Sequence, residues 1–264
     1  MEQKKQKKDQ FVIACLERPE SADTVLPVAR HCAERLGKGI ILLNVSKEGD
    51  NTWLQQYGLP YAGLKGDWKT AIDGLPTAFG GVLAVTAVDP KAPRSSLSHP
   101  GTLLRAFADC RIAYLTVGSG QQTADNGQWP AATALTIDHS RESKEKLIWG
   151  SYMVRFFGSL LTVAIPPYRD AGLLEKLGNN MLSLQRFYRS MNIGYKAVKL
   201  SSSKANADRL AVRELAPDLL IAMTTDRRDL GDLLLGSPES HLLTHSSTPI
   251  LFLNHRDDLY VLCD

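Results

Sequence analysis

Four cysteines occur in 264 residues, and none lies in a CxxC pair or at a Cys/His ligand spacing. That excludes the usual zinc patterns, and Cys15 and Cys32 read instead as small core residues in apolar runs. No apolar run exceeds about eight residues, against the roughly 20 that a membrane-spanning helix needs. Aromatic residues are only 7% of the chain and do not alternate with basic ones, which argues against nucleic-acid reading. No G-x-S-x-G is present, so Ser201-Ser202-Ser203 reads as a loop and not a nucleophile elbow. His241 and His245 have the spacing of a metal pair but lack a third ligand. The net charge of +3 marks no special partner. Part of it comes from Lys4, Lys5, Lys7 and Lys8, which read as a solvated tail. That tail leads into FVIACLE and not into a signal-peptide core, so a cytoplasmic location is expected.

What the chain does have is alternation of short apolar runs with amphipathic stretches. Gln10 to Glu17 predicts a strand, Ser21 caps a helix through Leu36, and Ile40 to Val45 predicts the next strand. Lys47 to Gly66 yields only a short helix near Trp53. A helix is expected over Asp67 to Phe79, then a strand from Gly81 to Ala87. A Pro- and Ser-rich loop from Asp89 to Pro100, a short helix and a strand at Arg111 to Val117 follow. GSGQQTADNGQWP, residues 118–130, has no apolar period and is the expected linker.

The same order then begins again. Ala134 to Asp138 predicts a strand, and Ser140 caps a helix carrying Leu147, Ile148, Met153 and Phe156. Leu160 to Ile165 and Tyr195 to Leu200 are strands around a long helix from Asp170 to Met191. A helix over Ala205 to Leu215 leads to strands at Leu219 to Met223 and Thr248 to Leu253, with a helix opened by Gly236-Ser237 between them. FVIACLERPES aligns with TALTIDHSRES, and GIILLNVS with SLLTVAIP. The expected fold is α/β: two doubly wound parallel-sheet domains, residues 10–118 and 131–255, each of strand order 3-2-1-4-5.

In that order the first and fourth strands are neighbours, and a crevice opens at their carboxyl ends. Asp138 and the segment from Thr224 to Ser237 should converge there. The acid can accept hydrogen bonds from a ribose or base, and the backbone at Gly236 and Ser237 can hold phosphate. Asp138 and Ser140 read equally well as an N-cap, and Gly236-Ser237 as a helix start that binds nothing.

The duplicated pattern, T-x-D-x-S at Thr136 to Ser140, and L-L-L-G-S followed by T-P-I-L-F-L resemble the universal stress protein family over residues 10–254. The resemblance implies an adenine nucleotide α-hydrolase-like fold and a tandem member, with the two repeats paired within the chain through their final strands. It leaves a homodimer and an unidentified protein partner open, with no membrane and no nucleic acid as partners. It makes Asp138, beside Thr136, the acid near adenosine, Val163 the residue whose backbone meets adenine, and Gly236 and Ser237 phosphate-loop positions. ATP or AMP with Mg²⁺ is the cofactor it would imply. The family's G-x2-G-x9-G-S/T loop, however, has Met223 and Asp226 where its first two glycines belong, with Thr224 between them. Neither approaches a phosphate as glycine does. Asp226 adds a charge worth about 3 kcal/mol of repulsion at ~5 Å and an effective dielectric near 20. In the first repeat, Cys15-Leu16-Glu17 stands in place of D-x-S, and the loop has no glycine.

The expectation is therefore a non-catalytic regulatory or binding protein with a degenerate nucleotide site and no nucleotide bound. The alternatives are a nucleotide-binding member with slow ATPase or partner switching, an ATP-using enzyme of the α-hydrolase fold, or a regulatory domain separated from a transporter. The enzyme needs a glycine-rich loop after its first strand, which LERPES and IDHSRES lack.

Overall fold

The computed structural model describes residues 9–46, 51–118, 128–140, 142–202, 206–224 and 237–255. Ten strands form one sheet. They are β1 (Phe11–Cys15), β2 (Gly39–Ser46), β3 (Tyr61–Lys65), β4 (Gly81–Val88), β5 (Ala113–Gly118), β6 (Ala132–Thr136), β7 (Leu160–Ile165), β8 (Lys196–Lys199), β9 (Leu219–Met223) and β10 (Ile250–Leu253). Their order is β3-β2-β1-β4-β5-β10-β9-β6-β7-β8, so each five-strand half has the expected order 3-2-1-4-5. Among the described residues every pairing within a half is parallel, and only the central β5–β10 pair is antiparallel.

Side chains alternate across each strand and so feed two apolar layers. One face is covered by α1 (Pro19–Leu36), α5 (Lys146–Phe157) and α6 (Ala171–Ser190). The other carries α2 (Trp68–Asp73), α3 (Leu75–Ala78), α4 (Pro100–Ala106), α7 (Ala207–Leu215) and α8 (Pro238–His245). On β1, Val12 and Ala14 enter the first layer, Ile13 and Cys15 the second. Cys15 and Cys32 are core residues, and burial pushes the Cys32 thiol up to about 12, out of reach of thiolate chemistry.

Three local expectations change. The strand β3 lies inside the stretch that periodicity left as a short helix. It is an edge strand with no fully buried residue, and its alternation YAGLK is too weakly apolar to register. The expected helix over 67–79 is two pieces, because Gly74 closes α2 and Pro76 opens α3. Helix α1 starts at Pro19, two residues before its expected cap: Ser21 is inside the first turn, its hydroxyl donating to the Arg18 carbonyl.

At the seam, Tyr114, Leu115 and Thr116 face Phe252, Leu251 and Ile250. Tyr114 is fully buried and stacks between Phe107 and Phe252, with ring centroids 4.4 and 5.2 Å away. Asn254, just beyond β10, donates to the carbonyls of Phe107 and Cys110 at 2.6 and 2.8 Å and so ties the two halves together. On the opposite face, His31 of α1 lies 2.6 Å from the carbonyl oxygen of Trp129, which is itself buried. Among the described residues the buried Tyr114 hydroxyl has no hydrogen-bond partner. An unmatched buried hydroxyl is destabilising, so Tyr114→Phe is expected to stabilise the protein by about 1 kcal/mol. Thermal unfolding should then shift upward by roughly 2–4 °C, and a drop would show that the hydroxyl is bonded.

Candidate functional site

The crevice of the C-terminal half is assembled from the carboxyl ends of β6 and its neighbour β9. Thr136 ends β6 and is buried. Two residues on, Asp138 closes a tight turn, its Oδ1 accepting the backbone N–H and hydroxyl of Ser140 at 2.8 and 2.5 Å. Ser140 is therefore not the cap of the following helix: a short 3-10 turn at Glu142–Glu145 intervenes before α5. Asn180, buried on α6, fixes the turn from behind by donating to the Asp138 and Ser140 carbonyls at 2.8 and 2.7 Å.

A cation that sequence reasoning missed occupies the middle of this crevice. Lys146, first residue of α5, is buried, and its Nζ donates to Thr136 Oγ1 at 2.8 Å. That hydroxyl donates in turn to Asp208 Oδ1 of α7 at 2.6 Å. Burial pushes the Asp138 carboxyl up, but the Lys146 charge, the Ser140 hydrogen bonds and the His139 charge outweigh it and hold Asp138 below its ordinary value. Asp208 goes the other way. Burial lifts it, the charges of Asp138 and Glu239 add to that, and Lys146 and Thr136 only partly offset the rise. Lys146 thus balances two acids, the arrangement a buried lysine requires. A lone lysine at the start of an apolar helix, followed on the same face by Gly150, Met153 and Phe157, is the signal that could have found it.

The remaining expected residues lie on the neighbouring elements. Val163 is fully buried inside β7, between Leu135 and Ala197 and two residues before the strand ends. Met223 ends β9. Thr224 is turned toward the seam, its hydroxyl 2.6 Å from Asn254 Oδ1. Ser237 is the N-cap of α8, accepting from the Ser240 N–H at 3.2 Å. Asp226 and Gly236 lie outside the described residues. The structure therefore brings Thr136 and Asp138 together with Lys146, Asn180 and Asp208. His241 and His245 stack on one another, and among the described residues no group of three metal-ligating side chains occurs.

The N-terminal half has the same plan with different residues. Leu16 N–H donates to the Leu43 carbonyl as Ile137 N–H donates to that of Ala164. Glu17 therefore occupies the place of Asp138, and the alignment of FVIACLERPES with TALTIDHSRES slips by one residue. Asn44 plays the part of Asn180, donating to the Leu16 and Glu17 carbonyls at 2.5 and 3.1 Å. The Glu17 carboxylate accepts from the Leu97 N–H at 3.0 Å and from the Ser96 hydroxyl. A carboxylate of the chain itself thus fills the loop after β4. Beside it is a crevice of about 210 Å³ lined by Glu17, Arg18, Glu20, Thr86, Asp89 and Ser98 among others. Three acids against one base give that lining a negative balance, unsuited to a phosphate.

No family model matches the chain, and no curated protein matches its sequence. Solved structures do match it. A universal stress protein from Archaeoglobus fulgidus superposes with a TM-score of 0.69 at 12% identity, over 94% of this chain and 97% of that one. The chain has the universal stress protein fold. A functionally unknown protein from Pseudomonas aeruginosa PAO1 matches with a TM-score of 0.61 at 14% identity, over 95% and 93% of the two chains. The cytoplasmic domain of a prokaryotic cation chloride cotransporter gives 0.53 at 14%, covering 96% of this chain and all of that one. In a doubly wound fold of this order, crevices open at the carboxyl ends of β1 and β4 and of β6 and β9. Both are crossed by hydrogen bonds between the chain's own side chains.

Proposed function

We propose that this chain is a tandem member of the universal stress protein family that acts by binding a partner, without turnover and without a working nucleotide site. Its repeats would be residues 10–118 and 131–255, joined by residues 118–130, and its setting the cytoplasm. The observation that carries the reading is the Thr136–Lys146–Asp208 network beside Asp138. Asp138 is already satisfied by hydrogen bonds from Ser140 and by the Lys146 charge, which leaves less for a ribose or an adenine to supply. A nucleotide would have to break buried, charge-assisted bonds to enter, and its phosphates would approach Asp208 and Glu239. Among the described residues no combination of base and activated nucleophile supports hydrolysis.

Titration calorimetry with ATP, ADP and AMP, each with and without Mg²⁺, tests this. The expected result is no saturable binding up to about 1 mM, which corresponds to less than ~4 kcal/mol. Micromolar binding that disappears in Asp138→Ala would establish a genuine nucleotide site and refute the degenerate one. Slow ATP hydrolysis lost in the same variant would establish an enzyme.

A further inference from the structure

Helix α5 does not bury the residues that its apolar pattern suggests. The layer beneath it takes Leu147, Gly150, Met153 and Phe157, whereas Ile148 and Phe156 of the same helix are 46% and 39% exposed. The outward side of α5 thus carries Ile148, half-buried Tyr152, Arg155 and Phe156 at helical spacing, with Arg155 stacked over the Phe156 ring at 5.7 Å. The adjoining helix α6 buries Leu177, Leu184 and Tyr188, and its opposite side presents Leu182, Arg186 and Arg189. Where α5 runs into β7, Leu160 is 77% exposed. Six of the seven large apolar side chains exposed among the described residues lie between residues 148 and 191.

The charge is as uneven as the apolar exposure. Residues 143–200 hold nine Lys or Arg and three Asp or Glu, a balance of +6 in a chain whose total is +3. Among the described residues no ion pair engages Arg155, Arg186, Arg189 or Lys196, and all four are exposed. A second copy is a poor occupant, because a two-fold contact would set this cationic face against itself. A folded protein partner calls for a compact apolar centre. Here the apolar side chains are spread along helices up to ~30 Å long and separated by basic ones. Separate apolar tips among flexible cationic side chains suit a fluid, negatively charged surface, where the tips enter the headgroup layer and the cations stay at phosphate level.

We propose that the outer side of α5 and α6 docks on an anionic lipid bilayer, with Phe156 and Leu182 entering the headgroups and Arg155, Arg186 and Arg189 meeting lipid phosphates. This contact is peripheral: no described helix is long and apolar enough to cross a membrane. It departs from the sequence-based expectation of no membrane partner and does not depend on whether either crevice binds nucleotide.

The experiment is co-sedimentation of the full chain with phosphatidylcholine vesicles, with and without phosphatidylserine. Binding is expected only with phosphatidylserine and should fall as NaCl rises. Arg186→Glu with Arg189→Glu should weaken it at least ~25-fold, since each basic residue near an anionic surface contributes about a factor of five. Phe156→Ser should weaken it at unchanged charge. A variant with Lys4, Lys5, Lys7 and Lys8 replaced by Ser should still bind, and circular dichroism of every variant checks that it is folded. Equal binding to neutral vesicles, no binding to either, or loss only in the tail variant would overturn the proposal. So would capture by an acidic helical peptide but not by vesicles, which would point to a protein partner.

Discussion

Phe252→Ala is expected to destabilise the protein by about 3–5 kcal/mol, the range for a large aromatic removed from a fully packed site. Phe252 is fully buried at the antiparallel β5–β10 pairing, where it faces Tyr114 and closes the stack that starts at Phe107. The surroundings cannot collapse into the vacancy easily. Tyr114 is held in register by β4 on one side and β10 on the other, and Asn254 anchors the chain just past Phe252. Urea denaturation followed by circular dichroism measures the loss. A change below about 1 kcal/mol would mean that the seam repacks freely. Phe252→Leu, which keeps most of the volume, should recover more than half of the difference.

Lys146→Met should be nearly as damaging, about 2–4 kcal/mol at pH 7, because it leaves two carboxylates in the crevice without their cation. Its pH dependence distinguishes it from a packing defect. Asp138 is held below its ordinary value, so its contribution is present above the usual carboxylate range and is lost as pH falls through its folded value. Asp208 is held above its ordinary value; its neutral form favours the folded state, and that contribution is lost as pH rises through the folded value. Lys146 lowers both, and it matters most when both are ionised. The difference between wild type and Lys146→Met should therefore be largest near neutrality and shrink in acid, as both carboxyls take up protons. A constant difference from pH 4 to 7 would show that Lys146 acts through packing alone.

The strands with continuous apolar runs were legible in the sequence, and so was their order, because a crossover helix between parallel strands leaves few arrangements. The edge strand β3 was not, since Tyr61, Gly63 and Lys65 are exposed and contribute no apolar period. Asp138 was legible as an acid at a strand end. Its surroundings were not, because they depend on Asn180 and Asp208, 42 and 70 residues away in sequence and brought to it only by the winding of α6 and α7. On α5, Ile148 and Phe156 have the composition of core residues and the placement of surface ones. A helix with large apolar side chains on two sides gives periodicity no single inward direction.

The seam between β5 and β10 also fixes what kind of molecule this sheet can be. In a pair of identical chains, any substitution appears on both sides of the two-fold axis at once. Here both central strands belong to one polypeptide, so their meeting does not weaken on dilution and the two sides need not match. One half has Glu17 at its strand end with a loop closed upon it; the other has Lys146 beside Asp138 and a basic flank outside. A single continuous sheet thereby acquires a left and a right, and can present a different surface to the cell at each end.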